Sequence, residues 1–264
     1  MRAWCWCAAG RVRRSARPWL CVAVAGLCLL MGTPAYADQI RVLSSVAMKA
    51  VIEALAPEFA RATKHTITPV FGIAAAVKTS IEGGEPFDVA ILTPALLDAL
   101  AAKGLVESAP RPVVARAGLG LMIKAGAPKP DVSSVDAFTR TLLAARAITF
   151  VPTGASGVAF LATLETLGIS ETVKAKARPA ATGEEVNANI TNGAADLAVL
   201  PVSEILPVPG AELGGVFPAQ IQRYIVMAAG VSGRSTRPAA AKEFVAFLTA
   251  AKNTPVLRAK GMER

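Results

Sequence analysis

Short apolar runs and helical patterns alternate along most of this chain. That alternation is the signature of a parallel sheet covered by helices. "IRVLSS" (40–45) precedes a stretch in which Val51, Ile52, Leu55 and Phe59 recur at helical spacing. Pro57 falls inside it and is expected to kink or divide the helix. "TITPVFG" (66–72) leads into "IAAAVKTSIEGG", and "FDVAIL" (87–92) into "TPALLDALAAKG". In the last of these Pro94 suits the first turn and Gly104 the stop.

"RPVVARAGLGLMIK" is too long for one ordinary strand and reads as a crossing between two lobes. The alternation then restarts. Ser133 or Ser134 is the N-cap of a helix, "AITFV" runs into "SGVAFLATLETLG", and that helix stops at Gly168. Thr182 and Glu185 have capping-box spacing, and "DLAVL" runs into "PVSEIL". A second long strand, "RYIVMAAGV", precedes the C-terminal helix "RPAAAKEFVAFLTAAK". The expected architecture is α/β: two lobes, each a mostly parallel sheet flanked by helices, joined by two crossing hinge strands. Lobe I spans 38–116, completed by about 225–264, and lobe II spans 117–224. In open α/β sheets ligands bind at the carboxyl ends of strands. That singles out the loops 44–49, 72–76, 92–94, 152–157 and 200–204.

Residues 1–37 stand apart. Five arginines precede an apolar core and an Ala35-Tyr36-Ala37 ending, the three-part pattern of a secretory leader. Its unbroken apolar run, Trp19 to Gly32, is 14 residues, short of the roughly 20 a spanning helix needs. Cleavage is expected near Ala37/Asp38, which would place the protein in the periplasm. All four cysteines and all three tryptophans lie in this segment. The remaining 227 residues therefore offer no disulfide, thiolate nucleophile or cysteine metal site. Without the five leader arginines the net charge falls from +9 to +4. Such an excess does not point to nucleic acid, whose binders carry a dense basic patch.

The stretch "FVPTGASGVAF" (150–160) puts Thr153, Gly154, Ser156 and Gly157 between a strand and a helix. Backbone N–H groups and the positive helix end there suit an anion. The same residues would equally serve an ordinary capped turn. Neither a Walker A loop nor a G-x-G-x-x-G fingerprint is present, so neither a nucleotide nor another cofactor is expected. His65 is the single histidine and reads as a solvated surface residue. With no G-x-S-x-G elbow and no His/Cys set, neither a serine hydrolase nor a metal site is expected. The acids nearest loops are Glu82, Glu85, Asp88 and Glu204. Asp88 starts a strand and suits tying down a neighbouring loop, while Glu204 follows Ser203 at a helix start. Arg116 and Arg223 flank the crossing strands, where a guanidinium could meet a carboxylate, although surface exposure is the commoner outcome.

The order of "IRVLSSVAMKAVIEALAPEFARAT", "FGIAAAVKTSIEGGEPFDVAIL", "GAADLAVLPVSEI" and "AAAKEFVAFL" resembles the periplasmic molybdate-binding proteins of ABC importers, a class of type II solute-binding proteins. The resemblance covers nearly all of the chain after the leader. It implies a monomer that closes on a small anion and docks on an inner-membrane permease. It also implies ligand positions at Ala47, Ile73, Ala74 and Pro201. At three of these the pattern departs: Ala47 and Ala74 stand where molybdate binders carry serine, and Pro201 where they carry tyrosine. A desolvated oxyanion loses roughly 1–3 kcal/mol for each missing donor, which argues for a carboxylate over a metal oxyanion. Ser44, Ser45, Thr93, Thr153, Ser156 and Ser203 are the remaining candidate donors, with Gly154 and Gly157 offering backbone.

"ARAGLGLMIKAGAPKPDVSSVDAF", "TGASG" and "SEILPVPGAELGGVFPAQIQ" resemble a branch that includes periplasmic proteins acting on organic tricarboxylates, among them aconitate isomerase. Two main readings follow. One is a binding module for an anion. The other is an isomerase, for which Glu204 and Asp88 are the candidate bases. A third is an accessory protein that has lost its ligand. The scarcity of enzyme-type groups favours binding.

Overall fold

The computed structural model describes residues 37–264. The expected leader, apart from Ala37, lies outside them. β1 (Gln39–Ser45) pairs in parallel with β2 (Thr66–Gly72) and β3 (Val89–Leu92), with Val42 opposite both Pro69 and Val89. The helices α1 (Lys49–Thr63), α2 (Ala74–Glu82) and α3 (Pro94–Ala102) follow these strands in turn. α1 enters through a 3-10 turn, Val46–Met48. It is not divided at Pro57 but continues through it. Pro57 cannot donate to the Glu53 carbonyl, and both residues are exposed. The freed carbonyl therefore meets water rather than core, which lowers the usual cost of an interior proline.

β4 (Val113–Lys124) carries the chain across. Its first half pairs antiparallel with β9 (Tyr224–Val231). Its second half pairs antiparallel with β7 (Leu197–Pro201) and β8 (Ala211–Val216). β5 (Ile148–Phe150) lies parallel to β7 and to β6 (Ala177–Pro179). The strand order is β2-β1-β3-β9-β4-β7-β5-β6, with β8 beside β4. β9 pairs only with β3 and β4 and begins where β4 changes partners.

In the second half α4 (Val135–Ala144), α5 (Ala155–Thr166), α6 (Ser170–Lys174), α7 (Gly183–Thr191) and α8 (Val202–Ile205) cover the sheet. α9 (Pro238–Thr249) and α10 (Thr254–Ala259) return to the first. There Phe59 meets Phe244 and Phe247 edge-on at 5.1 and 5.3 Å. In the other half Phe138 and Phe217 pack at 4.5 Å. Each half thus has its own aromatic centre, and both contribute to one buried apolar cluster.

Gln222 marks the crossing point. Its Oε1 accepts from the Leu119 N–H at 2.8 Å, and its Nε2 donates to the Leu119 carbonyl at 3.1 Å. The side-chain amide thereby imitates a neighbouring strand. Gln222→Ala is expected to lower stability by about 1 kcal/mol in urea denaturation. The loss is small because the Leu119 N–H also donates to the Arg223 carbonyl.

Candidate functional site

The helix starts fall into two kinds. α4 and α7 are capped by their own chains: Ser134 Oγ accepts from Ala137 N–H, and Thr182 Oγ1 accepts from Glu185 N–H. The other described α-helices start without a side-chain cap, among them α2 and α5, which begin at Ile73 and Gly154. The first-turn N–H groups of a helix have no intrahelical partner, so these two starts leave donors free for something else.

The starts of α2 and α5 both reach one small cavity of about 40 Å³. Ser45 and Ala47 line it from the 3-10 turn, Ile73 and Ala74 from α2, Ala155 and Ser156 from α5, and Pro201 from the end of β7. These are the carboxyl ends of β1, β2, β5 and β7, brought together from both halves of the sheet. A larger cavity of about 390 Å³ adjoins it and shares Val46, Gly183, Leu200 and Glu204. Lys49 and Glu53 on α1, Glu184 and Asn187 on α7, and Ser203 complete its polar lining.

Glu204 stands between the two cavities, partly buried. Its Oε2 lies 3.7 Å from where a Cβ on Gly183 would be, so the carboxyl rests against the start of α7. Loss of hydration, with the Glu184 carboxylate adding repulsion, pushes its pKa up to about 7. Four buried side-chain polar atoms lack a hydrogen-bond partner among the described residues: Arg41 Nε, Arg116 Nε, Asn187 Oδ1 and Ser203 Oγ. Two of them belong to residues lining the larger cavity. Buried polar atoms are rarely left unpaired, so these two are free to meet a polar group in the cavity.

The other candidate residues sit elsewhere. Ser44 is buried and donates to the Ser45 carbonyl at 3.1 Å. Thr93 starts α3, Thr153 is exposed, and neither lines these two cavities. Gly154 and Gly157 shape the turn. A Cβ on Gly157 would fall 1.9 Å from the Val151 carbonyl oxygen, so this residue lets α5 lie directly on the strand end. Asp88 is at the opposite end of β3. Its oxygens accept from the Arg41 N–H at 2.8 Å and the Ser235 hydroxyl at 2.6 Å. Glu82 pairs with Lys78 and Lys103, and Glu85 with Arg41. Arg116 pairs with Glu263 at 3.4 Å and lies 4.4 Å over the Tyr224 ring. Arg223 is exposed.

His65 is not the solvated residue expected. Its side chain is 14% exposed and stacks beside Phe59. Nδ1 accepts from the Asp38 N–H at 2.9 Å, and Nε2 lies 3.5 Å from the Glu243 carboxylate. Lys64, with φ of 69°, ends α1 in the left-handed conformation, and the chain turns directly into β2 from there.

Sequence reading missed Lys49, Glu53, Glu184 and Asn187. A local signal existed: Lys49/Glu53 and Glu184/Asn187 are spaced four and three apart, each pair on one helical face, and Lys49 ends the candidate loop 44–49.

The profile of the bacterial extracellular solute-binding proteins matches residues 40–263. An aconitate isomerase from a Pseudomonas species is 30% identical over 250 residues, 90% of this chain and 94% of that protein. The periplasmic molybdate-binding protein of Azotobacter vinelandii superposes with a TM-score of 0.73 at 21% identity, covering 85% of this chain and 99% of that one. The sulfate-binding protein of Mycobacterium tuberculosis superposes with a TM-score of 0.70 at 16% identity, covering 85% and 86%. At these identities the structural likeness shows the fold alone, the α/β fold of the periplasmic binding proteins. The chain belongs to the bacterial extracellular solute-binding protein family.

Proposed function

We propose that this protein binds a small organic anion, a di- or tricarboxylate, in the cleft between the two halves of the sheet. One observation carries this reading: two uncapped helix starts face a cavity where Ala47 and Ala74 provide no hydroxyl. Backbone amides at helix N-termini suit an anion. A molybdate-like tetrahedral oxyanion needs donors all round, whereas a carboxylate needs them at one end and leaves its carbon body for the adjoining space. The leader, cleaved near Ala37/Asp38, delivers the chain to the periplasm. There the monomer, with lobes 38–116 plus 225–264 and 117–224, closes by hinge motion about β4 and β9 and hands its ligand to an ABC permease.

Thermal shift with molybdate, tungstate, sulfate, citrate and tricarballylate tests the ligand. A ligand at 100 times its dissociation constant adds about 2.7 kcal/mol of stability. The organic acids are expected to raise the melting temperature. A shift with molybdate and none with the organic acids would contradict the reading.

A second reading is favoured by Glu204 together with the aconitate isomerase relative. A carboxyl near neutrality in a ligand cleft suits moving a proton between carbons of a tricarboxylate. Asp88, the other candidate base, has both oxygens engaged outside the cleft. Incubation with cis-aconitate, followed by chromatography for trans-aconitate, decides between turnover and binding alone.

A further inference from the structure

We propose that the larger cavity is a second carboxylate subsite. A ligand with two or more carboxylates then lies across Glu204, one end at the starts of α2 and α5 and the other against Ser203, Asn187 and Lys49, and it takes up a proton as it binds. The inference rests on the organic-carboxylate reading and says which residues hold the far end.

Depth and rim differ in chemistry. Ser203 is 3% exposed, and its hydroxyl has no partner although it lines the cavity. Asn187 also has a buried, unpartnered amide atom there. Its amide can turn either an oxygen or an NH₂ to the ligand. Lys49 is the first residue of the fifteen-residue helix α1. A cation at that end opposes the helix dipole, so local helix stability does not call for it. Lys49 forms no ion pair among the described residues. Glu53 and Glu184 are exposed, so solvent and salt screen their charges at the rim.

The proton follows from the position of Glu204. The charged groups that share its cavities are Glu184 on α7 and Glu53 and Lys49 on α1. The 46–48 turn and β7 carry no charged residue. Arg116 and Lys124 on β4, and Glu212 on β8, line neither cavity. A ligand carboxylate placed beside Glu204 adds a like charge, which favours the protonated form. The proton comes from solvent, and the Glu204 O–H donates to the ligand carboxylate. No bond within the ligand breaks.

Calorimetric titration with tricarballylate tests this, because that tricarboxylate has no double bond to shift. In two buffers of unlike ionisation heat at pH 7.5, the measured enthalpies are expected to differ, reporting proton uptake. Above pH 7.5 the affinity is expected to fall, approaching about tenfold per pH unit. Glu204→Gln should abolish the uptake and flatten the pH dependence while keeping tricarballylate bound. Lys49→Ala, at an exposed position that leaves the fold intact, should weaken tricarballylate about tenfold by removing a charge-assisted contact. Binding with no proton uptake, or with Lys49→Ala unchanged, overturns the subsite and leaves the organic-carboxylate reading standing. No binding of tricarballylate overturns the subsite, and no binding of any of the organic acids overturns both.

Discussion

Gly157→Ala is expected to lower the melting temperature by about 10 °C or to leave little folded protein. An added Cβ would lie 1.9 Å from the Val151 carbonyl oxygen and 2.7 Å from its carbon, both backbone atoms. No rotamer change relieves such a clash, so α5 would have to lift off the end of β5. Overpacking costs about 1–3 kcal/mol and more where backbone must move, against a total stability of about 5–15 kcal/mol. In a domain of this size each kcal/mol shifts the melting point by about 2–4 °C. Gly154→Ala is the internal control. Its nearest backbone contact would be 3.3 Å, and its φ of −75° suits any residue. It should lose well under half as much. Equal melting curves for the two variants would contradict this helix–strand approach.

Glu204→Gln should change how stability depends on pH. In the folded protein the carboxyl holds its proton up to about pH 7, against an ordinary value of 4.5. Between those values the folded state binds more protons than the unfolded state, so stability falls as pH rises and levels off above 7. A shift of this size corresponds to about 3 kcal/mol between pH 4 and pH 8. Glutamine has no proton to lose. Urea denaturation should therefore show the variant gaining about 3 kcal/mol on the wild type at pH 8 relative to pH 4. If the protein turns over cis-aconitate, the same substitution should slow it by about 10²–10⁴-fold. A variant with the wild-type pH profile of stability would mean that Glu204 is hydrated.

Much of the architecture was legible because it is written in local chemistry. Pro94 at the first position of α3, Gly104 at φ +68°, and the Ser134 cap all stand where their backbone preferences put them. The length of the β4 stretch foretold a strand that serves both halves of the sheet. Pro57 misled because its cost depends on which face of α1 it occupies. His65 misled because its partners, Asp38 and Glu243, are remote in sequence.

The lining of the two cavities was legible at the level of loops. The stretch "FVPTGASGVAF" lines the smaller cavity, through Val151, Ala155 and Ser156. Loop composition could not tell that Ser44 would spend its hydroxyl on the neighbouring carbonyl or that Thr153 would stand in solvent. Nor could it bring Lys49 on α1 opposite Asn187 on α7, a meeting made only when the two halves of the sheet face each other.

The most direct measurement is a crystal structure of the protein with tricarballylate bound. One carboxylate is predicted to accept from first-turn N–H groups of α2 and α5 at about 2.7–3.2 Å, with the rest of the molecule passing Glu204 toward Ser203 and Asn187. A ligand bound away from both helix starts would contradict the account.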